Sequence, residues 1–192
     1  MGAIITCHCG ACGFTIANGQ PTLSLLCGCT DCRKALEWCA KKGGLEPVSL
    51  PELIYVESDI VHAFGFEFMR AFQLRHKARS TRVYCKECFA IIGVDHKSYR
   101  NNVFMFFKNH CVTTCDLSIK RSAAIYLNDL KDANKINKLK NIPLILSFTE
   151  KETQLFRSIT AVSNSFSEII RPRHGKTLKS LIKSISKIEI LN

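Results

Sequence analysis

The stretch "LLCGCTDCRK", from Leu25 to Lys34, places Cys27, Cys29 and Cys32 within one short segment. A disulfide uses two thiols and a closed structural zinc site uses four ligands, so this three-cysteine cluster lacks a partner. One alternative is a metal site with an open position for water or substrate, as in catalytic zinc sites. The other is a closed site whose fourth ligand is Cys12, Cys39 or a histidine.

Four further cysteines occur as two short-spaced pairs. Cys7 and Cys9 lie in "TCHCGACGF", and Cys85 and Cys88 lie in "VYCKECFAI". Each pair fits a tight turn that aims both sulfurs at one ion, and four thiolates saturate zinc. We therefore predict that this four-cysteine cluster is a structural zinc site whose binding energy contributes to folding. The alternative is that these residues are small buried hydrophobic side chains.

The composition indicates a globular protein. The chain has 192 residues, of which 46% are hydrophobic and 22% are charged, and it contains 11 cysteines. No apolar run approaches the roughly 18 residues of a membrane span, and we find no secretion signal. We expect a cytoplasmic, reducing location, where cysteines at short spacings indicate metal binding and not disulfides.

The net charge of +11 lies mostly in the last third of the chain. Up to Ile119 there are 13 basic and 10 acidic residues, whereas from Lys120 onward there are 14 and 6. A basic surface attracts nucleic acid, anionic lipid or small acidic metabolites. Because the lysines are spread out, we expect a solvated surface, and nucleic acid is not an expected partner.

The sequence pattern predicts a mainly β protein with added helices. Runs of aromatic and β-branched residues predict strands, namely "LIYVES", "EFMRAFQLR", "TRVYC", "AIIGVD", "NVFMFF" and the buried "IPLILSF" at Ile142–Phe148. The segment "DCRKALEWCAKKGG" predicts a helix that ends at Gly43 and carries Cys32 and Arg33 in its first turn. We expect a β domain over 1–119 and a basic, partly helical extension over 120–192.

The extension carries two helix signals. Thr149 followed by Glu152 resembles a capping box at a helix start. Further on, apolar residues form one stripe opposite lysines, at Leu178, Leu181, Ile182 and Ile185. Such a stripe either binds an anionic membrane or packs on its own domain. We favour packing, including a role as a lid or as a homodimer contact.

Three motifs together resemble the family of glutathione-dependent formaldehyde-activating enzymes, to which centromere protein V belongs. They are a C-x-C-G with a following phenylalanine, a C-x-C-x-x-C-R-[RK], and an aromatic residue before C-x-x-C. The matching residues are Cys7, Cys9, Gly10, Phe14, Cys27, Cys29, Cys32, Arg33, Lys34, Tyr84, Cys85 and Cys88. The resemblance covers Ile4 to Leu117.

The resemblance implies a β-tent fold with two Zn²⁺ ions per chain. The four-cysteine cluster would hold a structural zinc, and the three-cysteine cluster would hold a second zinc at the active site. The founding activity joins glutathione and formaldehyde to S-hydroxymethylglutathione, and the family is labelled carbon–sulfur lyase. Three positions differ from the family pattern. Phe89 replaces a usual glycine, and Gly28 and Thr30 replace the histidine and serine often found there.

The resulting hypothesis is a zinc-dependent enzyme of the carbon–sulfur lyase type that acts on glutathione or another thiol adduct. Cys27, Cys29 and Cys32 would hold the ion, and Arg33 could bind the carboxylate of an anionic substrate. The alternative is a non-catalytic, zinc-stabilised binding module that uses its basic C-terminal region.

Overall fold

The computed structural model describes residues 1–130, 133–139, 141–168, 172–185 and 188–191. In these residues the chain is mainly β with added helices, as predicted. The strands are β1 (Ala3–Thr6), β2 (Gly13–Ile16), β3 (Leu23–Cys27), β4 (Glu52–Glu57), β5 (Ile60–Phe64), β6 (Met69–Gln73), β7 (Ser80–Cys85), β8 (Ile91–His96), β9 (Val103–Phe107), β10 (Val112–Thr113), β11 (Ala123–Ile125) and β12 (Ile188–Ile190). The α-helices are α1 (Thr30–Lys41), α2 (Ala133–Asn137), α3 (Glu150–Ser163) and α4 (Leu178–Ser184).

The strands form two sheets. The smaller sheet has the order β10-β1-β2-β5, and the larger has the order β11-β3-β4-β9-β8-β7-β6-β12. Neighbouring strands are antiparallel, except that β11 and β12 pair parallel at the two edges of the larger sheet. Residues on both sides of position 119 therefore contribute to the larger sheet.

The larger sheet is covered on both faces. Along β4, Ile54 and Val56 face a core shared with the smaller sheet, where Phe14 meets Phe104 edge-on at 5.5 Å between ring centroids. Tyr55 faces a second core on the opposite side. We call these the inter-sheet core and the helix-side core. Because both faces are covered, the central strands read as continuous apolar runs instead of alternating ones.

Helix α1 covers part of the helix-side core. Leu36 and Cys39 lie on its buried side, and Trp38 packs against Phe72 of β6 with ring centroids 4.5 Å apart. The helix ends at Lys41, and Gly43 follows with a positive φ of 98°. The predicted helix, with its glycine stop, is therefore confirmed.

The extension contributes to both cores. In α4, Leu178, Leu181 and Ile182 are buried in the inter-sheet core. Phe156 and Phe166, within and after α3, pack against the helix-side core. The α3 capping box is present as predicted. The apolar stripe thus packs on its own protein, and none of the helices in the described ranges has the length and apolar character of a membrane span.

Two predicted strands differ from the structure. The Ile142–Phe148 segment forms only an isolated bridge, between Leu144 and Ala124 of β11. Pro143 has no N–H to donate, so a continuous ladder is interrupted there. The second is "EFMRAFQLR", whose strand begins only at Met69. The preceding residues Phe66–Phe68 form a 3₁₀ turn after Gly65.

Replacement of Leu178 by alanine tests whether α4 and the sheets fold as one unit. Leu178 is fully buried and approaches Gly93 of β8. We expect Leu178→Ala to lower the free energy of unfolding of the whole protein by about 2–4 kcal/mol. Lys183→Ala, on the exposed side of the same helix, should leave it nearly unchanged. Equal midpoints of urea unfolding in Leu178→Ala and wild type would contradict this expectation.

His110 is a buried histidine that connects the turn after β9 to the start of β8. Its Nδ1 accepts the backbone N–H of Ile91 at 2.8 Å, and the residue is 4% exposed. Burial, assisted by the nearby His8, lowers the pKa of His110 from 6.5 to about 4. The folded protein therefore holds this ring neutral at pH values where the unfolded chain protonates it.

The free energy of unfolding should therefore decrease at acidic pH because of His110. Between pH 6.5 and 4 the unfolded chain binds the extra proton, so stability decreases as the pH falls. His110→Asn keeps an acceptor for Ile91 but does not titrate. We expect wild type to lose roughly 1–2 kcal/mol relative to this variant between pH 7 and pH 5. Urea midpoints of both metal-loaded proteins measure this, and parallel pH curves would refute it.

Candidate metal centres

The four-cysteine cluster is assembled from residues almost eighty positions apart. The sulfurs of Cys7, Cys9, Cys85 and Cys88 all lie within 4.8 Å of one another. The Cys7 and Cys9 sulfurs are 3.5 Å apart, and those of Cys9 and Cys85 are 3.8 Å apart. Tetrahedral zinc with Zn–S bonds of about 2.3 Å requires S···S distances of about 3.8 Å. The donor set therefore fits a zinc ion with four thiolate ligands.

Two tight turns produce this geometry. After β1, Gly10 donates its N–H to the Cys7 carbonyl at 3.1 Å, and its φ of 74° suits glycine. The Cys12 N–H donates to the Cys7 sulfur at 3.4 Å. After β7, Phe89 donates its N–H to the Cys85 carbonyl at 2.9 Å. Both turns direct backbone N–H groups towards the cysteines.

Phe89 adopts the left-handed backbone conformation that glycine tolerates best. Its φ is 53°, which costs a non-glycine residue free energy. Its ring lies 6.1 Å from those of both Trp38 and Tyr84. Such aromatic contacts are favourable, so they offset part of the backbone cost.

The three-cysteine cluster lies in the helix-side core. The sulfurs of Cys27, Cys29 and Cys32 lie within 4.8 Å of one another. Cys27 ends β3, Cys29 is the N-cap of α1, and Cys32 lies in the first turn of that helix. The Cys29 sulfur accepts the Cys32 N–H at 3.3 Å. A helix N-terminus favours a thiolate, so the local fold prepares this group for a cation.

The three sulfurs share protons unequally. Hydrogen bonds from Cys27 and then Cys32 lower the pKa of Cys29, while hydrogen bonding to Cys29, then to Cys32, raises the pKa of Cys27. Cys29 is therefore the most acidic of the three thiols. Binding of a cation to all three thiolates would release protons.

No fourth protein ligand completes this cluster in the described ranges. Cys, His, Asp and Glu side chains there supply only three ligand atoms. Cys12, one alternative, hydrogen-bonds with Cys7 and Cys85 at the other cluster. Cys39 and the histidines also lie outside the group of three. The donor set suits zinc with one position left for another ligand.

The extension holds the loop that carries the three cysteines. Gly28 donates its N–H to the Ile125 carbonyl at 2.9 Å. Thr30 donates its N–H and its hydroxyl to the Asp129 carboxylate at 2.9 and 3.1 Å. A Cβ at position 28 would lie 2.7 Å from the Tyr126 carbonyl oxygen. Gly28 and Thr30 are therefore contact points for residues 125–129.

Arg33 braces the same loop. Its guanidinium donates to the Gly28 carbonyl and, at 2.7 Å, to the Asp129 carbonyl. These two bonds engage both terminal nitrogens of Arg33. The predicted contact between Arg33 and a substrate anion stays a prediction.

Aromatic side chains surround the three-cysteine cluster. Tyr55 and Tyr99 are buried, their rings are 5.4 Å apart, and the Tyr99 hydroxyl donates to the Tyr55 hydroxyl at 3.4 Å. Burial, and then the neighbouring Tyr99 hydroxyl, raises the pKa of Tyr55. Burial, and then the nearby Cys27 sulfur, raises the pKa of Tyr126. The rings of Tyr126, Phe148, Phe156, Phe166, Tyr99 and Tyr55 follow one another at centroid distances between 4.7 and 5.9 Å.

Sequence reasoning did not single out Tyr55, Tyr99 or Asp129. Two of them are aromatic residues in apolar segments, which is also the pattern of ordinary core residues. Asp129 lies about a hundred positions from the loop that it holds, and a lone aspartate carries no local signal for such a contact.

In comparisons with known proteins, no protein-family model and no curated protein matches the chain. The cysteine geometry is thus the main guide to function: two cysteine clusters that could hold metal ions, one with four sulfur ligands and one with three.

Metal content should follow the two clusters separately. We expect wild-type protein to bind two zinc ions per chain, and Cys88→Ser and Cys29→Ser to bind one each. Cys88→Ser should also lower thermal stability more, because a complete structural zinc site contributes folding energy directly. Elemental analysis and native mass spectrometry measure the zinc count.

Cys111→Ala provides the control for these variants. Cys111 is buried in the inter-sheet core and belongs to neither cluster, so its variant should retain both ions. If wild type contains one zinc ion per chain and Cys29→Ser also contains one, the predicted second zinc site is wrong.

Proposed function

We propose that the protein is a zinc-dependent enzyme that joins a thiol such as glutathione to formaldehyde or a similar small carbonyl compound. The proposal rests on the contrast between the two clusters. One supplies four sulfurs to an ion, whereas the other supplies three in the described residues. Catalytic zinc sites keep such an open position, and structural ones do not.

The motif resemblance supports the reaction class. The three motifs resemble those of glutathione-dependent formaldehyde-activating enzymes, which are labelled carbon–sulfur lyases. In that reaction the thiol loses its proton, its sulfur bonds to the carbonyl carbon, and the carbonyl oxygen takes up a proton. The reverse reaction cleaves the same carbon–sulfur bond.

Cys27, Cys29 and Cys32 would hold the ion. When bound, zinc would act as a Lewis acid and lower the pKa of a thiol or water at the open position. Cys29 is the only partly exposed member of the three, so a substrate would approach from its side.

The surrounding residues provide the remaining chemistry. Burial is the main cause of the raised pKa of Tyr55 and Tyr99. Both hydroxyls therefore stay protonated near neutral pH. A protonated hydroxyl beside the cluster can donate a hydrogen bond to the oxygen of the adduct. The rings of Phe156 and Phe166 exclude water from this side of the core.

Equilibrium exchange between formaldehyde, glutathione and S-hydroxymethylglutathione tests the function. Exchange spectroscopy with ¹³C-formaldehyde measures the rate at equilibrium, which separates catalysis from the spontaneous reaction. We expect zinc-loaded wild type to accelerate exchange and Cys29→Ser to return it to the buffer rate, because that variant lacks a ligand to the second zinc.

Cys111→Ala again serves as the matched cysteine control and should exchange as fast as wild type. Exchange at the buffer rate in wild type that holds two zinc ions would overturn the reaction. Such a result would favour the zinc-stabilised binding module.

A further inference from the structure

Arg82 is a positive charge buried beside the three-cysteine cluster. It lies in β7, paired with Phe72 of β6 and Val94 of β8, and it is 2% exposed. Its guanidinium carbon lies 5.7 Å from the Phe72 ring centroid. The side chain therefore extends into the helix-side core, on the same face of the sheet as the three cysteines.

Arg82 has no ion-pair partner of its own in the described part of the chain. Arg82 Nη2 donates to the Asp31 carbonyl at a long 3.4 Å, and Nε has no hydrogen-bond partner. The Asp31 carboxylate pairs with Arg75 at 2.8 Å. Arg75 chiefly, and Arg82 to a smaller degree, lower the pKa of Asp31, so this carboxylate is shared and does not match Arg82 alone. A buried charge without an opposite charge strongly destabilises a fold.

The position of Arg82 identifies what could balance it. Asp31, whose carbonyl it contacts, directly precedes Cys32. Phe72, over whose ring the guanidinium lies, belongs to the same core as Cys27 and Cys32. The guanidinium thus lies within electrostatic reach of the sulfur group.

A count of charges then connects the two features. A divalent cation with three thiolates carries one net negative charge, which Arg82 balances. A thiolate at the fourth position would add a second negative charge, and Arg82 would reduce the excess to one. Attraction between buried charges is strong because the local dielectric constant is low.

We propose that Arg82 is the buried counter-charge of the metal-loaded three-cysteine cluster and that it favours a negatively charged sulfur ligand at the fourth coordination position. The inference rests on the proposed function, since it takes a thiol as the ligand of that position. It assigns to Arg82 the role of lowering the electrostatic cost of an ionised thiol at this position, compared with a chain that lacks the charge.

Cobalt substitution tests the preference for the ligand. Co²⁺ bound by thiolates absorbs in the visible and near-ultraviolet, and the spectrum changes when a further sulfur binds. Glutathione and 2-mercaptoethanol are titrated into cobalt-loaded wild type, Arg82→Met and Arg82→Lys. We expect Arg82→Met to bind both thiols about tenfold more weakly, equivalent to about 1.4 kcal/mol, and Arg82→Lys to stay near wild type.

The outcomes separate the two proposals. If thiols leave the cobalt spectrum of wild type unchanged, the proposed function fails and the inference fails with it. If thiols bind wild type and Arg82→Met equally well, the inference alone is wrong. Equal weakening in Arg82→Lys and Arg82→Met would show that the shape of arginine matters and its charge does not, which also overturns it.

A second measurement compares the effect of Arg82→Met on the urea midpoint in two backgrounds. A counter-charge role predicts effects of opposite sign, which a loss of packing alone cannot produce. In a chain with Cys27→Ser, Cys29→Ser and Cys32→Ser, Arg82 has no thiolate to balance. Arg82→Met should raise the urea midpoint in this background and lower it in metal-loaded wild type. A decrease in both backgrounds would refute the counter-charge role. If Arg82→Met does not fold with metal bound, its effect in the serine background still decides.

Discussion

The central strands of the larger sheet are covered on both faces, and this constraint governs where charge can lie in the protein. The inter-sheet core covers one face, and α1 with the extension covers the other. Each core borders a group of cysteine sulfurs. Buried thiolates need a cation, because an unbalanced buried charge is costly. The two cysteine clusters, which could hold such cations, are thus the polar groups of a sheet that is apolar on both sides.

The two clusters solve this problem in different ways. The four-cysteine cluster connects the turn after β1 with the turn after β7, so it joins the smaller sheet to the larger one. The three-cysteine cluster joins only β3 to the helix that follows directly. A local group adds little to long-range folding, since its ligands are already close in sequence. Its location under the extension's aromatic rings therefore suits chemistry better than it suits structural reinforcement.

Local patterns allowed much of this arrangement to be predicted. Short cysteine spacings produce tight turns, so the two groups of sulfurs were predicted correctly. Helix α1 was predicted from its residue pattern and its glycine stop. The parallel edge strands β11 and β12 could not be found in the same way, because each has three residues and depends on partners far away in sequence. Arg82 was missed for a related reason: a charge in a strand normally indicates a solvent face, and here that face is covered.

The extension and the three-cysteine cluster depend on each other. Asp129 holds Thr30 through two hydrogen bonds, and Arg33 returns a bond to the Asp129 carbonyl. Phe166, far along the extension, packs 5.7 Å from Tyr55 beside the cluster. The motif resemblance ends at Leu117, before Asp129 and Phe166. Gly28 and Thr30 are the positions at which the extension contacts the loop, so the loop and its cover fit each other. The surroundings of the fourth coordination position in this chain are therefore set by residues outside the recognisable motifs.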